Sequence, residues 1–230
     1  MSSSPNVSIP QRVHLRRRMS KEDRKRQLLR TAIETFGGKG FSGTKTKDIA
    51  AAAGVSEAIL FRHFPSKEDL YHAILDIKET PDQTKARLRD LEKLAGNRDD
   101  TALFRYVGRQ VLQSFRTDPA FHRLMLFAAL EGHLLASLFR QRFGLPTGDF
   151  LRKYIALRQS EGVFRKCDPR VAVTFCLSSI VQYAMSRYLF GGKDQTVPDE
   201  AVLEQLIELV LGGLHKQREK RGKGVHGNKE

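Results

Sequence analysis

The sequence predicts an all-α protein, and three observations carry that reading. Strand signals are almost absent, since no run alternates apolar and polar residues for long and no Asn-Gly or Asp-Gly turn joins two such runs. Apolar residues recur instead at helical spacing over most of the chain. Helix punctuation is frequent, as Ser-x-x-acid caps, prolines at first helical positions and glycines behind last turns.

Taken in order, the first helix starts at the cap Ser20-Lys21-Glu22-Asp23, whose two side chains are placed to satisfy each other's free amides. Leu28, Leu29, Ala32, Ile33 and Phe36 form its apolar stripe, and Gly37-Gly38 is expected to stop it. A short helix at about 45–52, a turn and a second helix at about 56–63 follow. Pro65-Ser66 ends that pair, and Ser66-Lys67-Glu68-Asp69 caps the next helix. Pro81 interrupts it, the pattern resumes to about Leu94, and 96–100 reads as a loop. Four longer helices are expected at about 100–117, 119–143, 148–161 and 169–190, two of them opened by Asp118-Pro119 and Asp168-Pro169. A last helix over about 199–216 carries Val202, Leu203, Leu206, Ile207, Val210, Leu211 and Leu214 on a wide apolar face, and no internal repeat is visible.

The chain has 230 residues, a net charge of +14 and a pI near 10.0, a balance that points to polyanionic partners and says nothing about fold. Residues 1–26 carry eight Lys/Arg against two acids and 214–230 six against two, so the ends hold most of that charge. The tail reads as solvated and disordered, whereas the arm places Arg12, Arg16, Arg17 and Arg18 where they can reach phosphate. Cys167 and Cys176 make neither a disulfide framework nor a C-x-x-C pair. The first five residues lack the apolar core of a signal peptide, and 171–190 is interrupted by Ser178, Ser179, Gln182 and Tyr183. The expectation is a soluble, cytoplasmic protein with no membrane partner.

The segment 45–64 carries the function. A helix-turn-helix needs small residues where its helices cross, a glycine in the turn and a buried aliphatic residue behind it, roles that Ala50, Gly54 and Val55 fill. Ser56 caps the second helix, and Ile49, Ala53, Val55, Leu60 and Phe64 form the inner face. The outer face then meets DNA, because a recognition helix enters the major groove with its N-terminal residues at base edges. Glu57, Ala58 and Ile59 stand there, with Phe61, Arg62 and His63 one turn on. Lys45 and Lys47 flank the first short helix, Thr44 or Thr46 takes its cap, and Lys67 opens a helix whose N-terminus attracts phosphate. Glu57 can accept from cytosine N4 and Ile59 can touch a thymine methyl.

Residues 20–72 resemble the N-terminal domain of the TetR/AcrR family of transcriptional regulators. Phe36, Gly40-Phe41, Asp48-Ile49-Ala50, Ala53-Gly54-Val55-Ser56 and the block Leu60-Phe61-Arg62-His63-Phe64-Pro65-Ser66-Lys67-Glu68-Asp69-Leu70 carry the likeness. It implies a three-helix helix-turn-helix DNA-binding domain at 20–72, followed by a larger helical ligand-binding and dimerisation domain at 73–214. A basic arm (1–19) and a basic tail (215–230) flank them. The family commonly has Ser or Thr at Lys45, Lys or Arg, Gly and Thr at 57–59, and tyrosine at Phe61 and His63, so this chain departs at its reading positions.

The C-terminal half resembles the family only in helical layout. Candidate pocket residues are Phe104, Val107, Val111, Phe121, Met125, Phe127, His133, Phe150, Tyr154 and Tyr183, a mix that suits a core as well as an apolar effector site. Dimerisation is expected on 171–190 and 198–214, through Phe175, Ser179, Leu203, Leu206, Ile207, Val210 and Leu214, as a four-helix interface around a twofold axis. His122 and His133 lack metal-like spacing, no cofactor motif is present, and no paired carboxylates or nucleophile elbow are placed for catalysis. The leading reading is a homodimeric repressor of a palindromic operator, released by a small apolar effector. A ligand-independent architectural or co-regulatory DNA-binding protein is the alternative.

Overall fold

The computed structural model describes residues 19–78, 80–191 and 196–215; the basic arm up to residue 18 and the tail from 216 lie outside them. Among the described residues eleven α-helices follow one another, with one isolated backbone bridge between Phe164 and His215. They are α1 (Lys21–Lys39), α2 (Thr46–Ala52), α3 (Glu57–His63), α4 (Lys67–Lys78), α5 (Pro81–Gly96), α6 (Asp100–Thr117), α7 (Pro119–Leu130), α8 (Leu134–Phe139), α9 (Leu145–Ser160), α10 (Pro169–Tyr188) and α11 (Asp199–Leu214). No described helix is long and apolar enough to cross a membrane.

The caps at Ser20 and Ser66 are present but one-sided. Each serine oxygen accepts from the amide three residues on at 3.0 Å, while its hydroxyl donates to that residue's carboxylate at 2.7 Å. Aspartate is one methylene shorter than the glutamate of a reciprocal box. The reciprocal arrangement instead occurs at Thr80–Gln83, which opens α5 with Pro81 at its first position.

Two boundaries differ from the sequence reading. Helix α1 passes through Gly37-Gly38 and ends at Gly40, whose φ of 72° suits glycine and whose amide bonds Phe36 O at 2.8 Å. Gly37 is a contact glycine: a Cβ there would lie 2.6 Å from the carbonyl oxygen of Ala120 in α7. The expected helix over 119–143 breaks at Gly132 (φ 66°), and the chain is then helical from Leu134 to Ser160 through a π-turn, Arg140–Gly144. That widened turn precedes Pro146, which has no N–H to donate to a regular ladder.

The helices close around two cores. One joins α1–α4 with Phe121, Leu124, Met125 and Ala128 of α7 and Leu135 of α8. It takes in Ile74 and Leu75, so by packing it extends past residue 72 and claims one face of α7. The second core is built from α5, α6, α9, α10 and α11. Within it Arg158 grips Asp100 through two hydrogen bonds of 2.9 Å, and Tyr154 donates to the same carboxylate at 2.6 Å, which ties the start of α6 to the end of α9. Both charges are buried, and their pairing offsets the cost of removing them from water.

Candidate nucleic-acid interface

The α2–α3 unit is held from within. Ile49, Ala50, Ala53, Leu60 and Phe64 are buried, and Gly54 turns the chain with φ 66°. The amides of Gly54 and Val55 bond Ala51 O and Ala50 O at 3.0 Å, and Gln27 of α1 pins the turn by donating to Ala53 O at 3.2 Å. Ser56 accepts from the amide of Ile59 at 3.4 Å, a long cap that starts α3. A rigid base of this kind lets a seven-residue helix keep its orientation, which a helix so short could not do alone.

The outward face follows from that packing. Glu57, Ala58, Phe61 and Arg62 are exposed and Ile59 is half-buried, with Lys45 and Lys47 exposed beside them. Among the described residues Lys45, Lys47 and Arg62 make no ion pair, so the start of α2 carries two unpaired cations and the last turn of α3 a third. His63 is half-buried, and burial followed by the positive fields of Lys21, Arg24 and Arg62 holds its pKa below the ordinary value. In the free protein this environment disfavours the imidazolium form. The same fields mark Lys21 and Arg24 of α1 as part of the cationic face. The sequence reading names Lys21 only within the α1 cap and gives Arg24 no role, although their spacing of three places both on one side of α1.

Three candidate contacts require correction. Thr44 is 1% exposed, and its hydroxyl donates to Gly40 O at 2.7 Å, so it braces the α1–α2 loop and its side chain is turned away from the surface DNA would meet. Lys67 turns inward: its ammonium lies 4.0 Å from the centroid of the Phe41 ring and donates to the Phe41 carbonyl, and burial lowers its pKa. The ring face and the carbonyl hold the ammonium against the protein's own α1–α2 loop and turn it away from a phosphate. Thr46 is half-buried and donates its hydroxyl proton to Glu57 Oε1 at 2.7 Å, so no proton is left for a phosphate oxygen.

Residues 28–74 match the sequence profile described as "Bacterial regulatory proteins, tetR family". The "HTH-type transcriptional regulator RutR" of Escherichia coli (strain K12) is 38% identical over 198 residues, spanning 81% of this chain and 86% of RutR. The chain belongs to the tetR family. Among solved structures, the TetR family regulator PfmR of Thermus thermophilus superposes with a TM-score of 0.59 at 26% identity, over 82% of this chain and 99% of PfmR. AibR, solved "in complex with isovaleryl coenzyme A and operator DNA", gives 0.60 at 21% identity over 81% and 97%, a likeness of fold. As a member of this family, with unpaired cations exposed on its α2–α3 unit, the chain is a DNA-binding transcriptional regulator.

The other candidate residues of this tetR-family member do not meet in one place. Phe121 and Met125 sit in the first core, and Phe104, Val107 and Tyr154 in the second, with Val111, Phe150 and Tyr183 packed against the latter. Phe127 lies beside Gly40, and His133 stacks near Phe41 and Tyr71, with centroids 4.3 and 4.8 Å apart. These side chains are divided between the two cores, Phe127 and His133 lying at the edge of the first, so they do not line one shared cavity. A surface groove of about 290 Å³ lies elsewhere, among Arg109, Leu112, Gln113, Arg116, Tyr188 and Asp199. The dimer candidates also divide. Leu203, Ile207, Val210 and Leu214 are at most 5% exposed, because they pack against their own α6 and α10, and cannot face a partner. Phe175 is 63% exposed, Ser179 and Leu206 are half-buried, and Val171 and Leu209 join them on the outer side.

Proposed function

We propose that the chain works as a homodimeric repressor that holds an inverted-repeat operator and leaves it when a small apolar effector binds. The observation that supports the DNA half is the outward side of the α2–α3 unit, with Glu57 exposed and Ile59 half-buried on the first turn of α3 and Lys45, Lys47 and Arg62 exposed and unpaired nearby in sequence. Dimerisation is supported by apolar side chains left outside the protomer's core on two adjacent helices, Val171 and Phe175 of α10 and Leu209 of α11. Two such faces meeting about a twofold axis would present two α3 helices to two half-sites. A reader of chromosomal DNA works in the cytoplasm, and that is where we place it.

The effector half draws on the fold AibR shares, which accommodates a small molecule and operator DNA in one complex. It also draws on α7, which packs against α1 in the first core, so a molecule that shifts α7 moves the DNA-reading unit. The filling of both cores by the candidate pocket side chains favours a second reading, a DNA-binding protein without an effector. One experiment separates the two. Genomic fragments retained by the purified protein are sequenced, and retention is repeated with fractions of a small-molecule extract. Discrete upstream fragments released by an apolar fraction support the repressor. Retention that no fraction alters supports the second reading, and indiscriminate retention contradicts both.

A further inference from the structure

Glu57 is an unusual group to find at the tip of a recognition helix in a protein of net charge +14. It is exposed, and among the described residues no cation pairs with it. Its one hydrogen-bond partner is Thr46, at 2.7 Å through Oε1. The two residues hold the first positions of α3 and α2, so the bond joins the N-terminal ends of the two helices of the DNA-binding unit. Thr46 does not cap α2: the N-cap position is Lys45, which makes no side-chain cap bond.

We propose that Thr46 is a specificity-determining positioning residue, which fixes the Glu57 carboxylate so that its free oxygen, Oε2, reads the exocyclic amine of a cytosine in each half-site. This rests on the reading of α3 as the base-contacting helix. The chemistry favours a hydroxyl over a cation in this place. A lysine or arginine would neutralise the carboxylate, and an arginine fork would occupy both its oxygens, whereas a threonine hydroxyl has one proton, satisfies one oxygen and leaves the negative charge and Oε2 in place. Threonine is also β-branched and held to few χ1 wells, so it anchors the flexible glutamate chain before DNA arrives. A glutamate with free rotamers loses that freedom on binding, and one already held loses less. The carboxylate also repels phosphate, so its gain comes only where a base offers it a proton.

The test is selection from randomised duplexes with the full-length protein and four variants, Thr46→Val, Thr46→Ser, Glu57→Ala and the double Thr46→Val/Glu57→Ala, with thermal melting of each. Thr46→Val keeps the β-branched shape and removes the proton. It should lower discrimination about three- to tenfold at the base-pair position that Glu57→Ala relaxes, the range that follows from freeing one long side chain. Thr46→Ser should keep the wild-type preference, and the double variant should relax that position no further than Glu57→Ala alone. If Glu57→Ala relaxes a position and Thr46→Val leaves the wild-type preference, the positioning role is overturned while α3 remains the reader. If Thr46→Val weakens all duplexes equally, or only lowers the melting temperature, Thr46 is a backbone contact or an interhelical staple and the proposal fails. If neither variant changes the preference, the reading role of Glu57 fails with it.

Discussion

Replacing Gly37 by alanine should destabilise the protein, although helix propensity alone predicts the reverse. Gly37 lies inside α1, where alanine is favoured over glycine by about 1 kcal/mol. Its added methyl, however, would sit 2.6 Å from the backbone carbonyl oxygen of Ala120. That atom belongs to the body of α7 and cannot swing aside as a side-chain end would, so α1 and α7 must part by several tenths of an ångström. Overpacking of this kind costs about 1–3 kcal/mol, and the rigid obstacle puts the cost toward the upper end, for a net loss of about 1–2 kcal/mol. In a chain of this size that is a fall of about 2–8 °C in melting temperature. The neighbouring Gly38 provides the control. It occupies the same helix, is exposed, and a Cβ there meets nothing within 4 Å. Gly38→Ala should therefore raise the melting temperature by about 2–4 °C. Calorimetric melts of the two variants decide the matter. A Gly37→Ala protein as stable as wild type would refute the close α1–α7 approach, and with it the route from α7 to the DNA-reading unit.

Other expectations follow from the same structure. Phe175→Asp and Leu209→Asp should each shift the protein toward monomer in light scattering while leaving it folded, whereas Ile207→Asp, which places a charge in the protomer's own core, should unfold it; an intact dimer for the first two would move the interface elsewhere. His122 is buried against the ring of Phe115, and burial pushes its pKa down to about 4, so the folded protein prefers it neutral. Its contribution is present above pH 6.5 and is lost as pH falls toward 4, on the order of 3 kcal/mol at most, so His122→Gln should flatten the melting-temperature profile across that window. An unchanged profile would assign the acid sensitivity to other groups. Lys47→Ala and Arg62→Ala should weaken specific and non-specific duplexes alike and each lower the salt slope by about 1, as expected when a phosphate contact is lost. A slope equal to wild type would mean these cations face away from the backbone.

The legible part of the sequence is the part decided by neighbours in the chain. The α2–α3 unit is read from Ala50, Gly54, Val55 and Ser56 because a close crossing, a left-handed turn and a cap are each set within a few residues. Gly37 reads as a helix end because a helix-ending glycine and a contact glycine look alike until the opposing helix is known. The apolar stripe of α11 shows that the helix is covered on a wide face, but periodicity cannot say that Leu203 and Ile207 meet their own α6 and α10 and Leu209 the outside. Thr44, Thr46 and Lys67 stand at sound positions for phosphate. Their fate is settled by partners brought from elsewhere, Gly40, Glu57 and Phe41, which lie 4, 11 and 26 residues away. Gly132 and the π-turn before Pro146 leave no mark on the pattern because apolar spacing continues across both.

If the first turn of α3 meets base edges in the major groove of two symmetric half-sites, methylation interference should reveal it, because guanine N7 opens into the major groove, where a methyl group blocks an inserted helix. On a duplex selected by the wild-type protein, N7-methylated guanines should be excluded from the bound fraction at two sets of positions related by a dyad. The interference at the base pair read by Glu57 should weaken in Glu57→Ala. Interference confined to adenine N3 in the minor groove, or found in one half of the duplex only, would contradict the account.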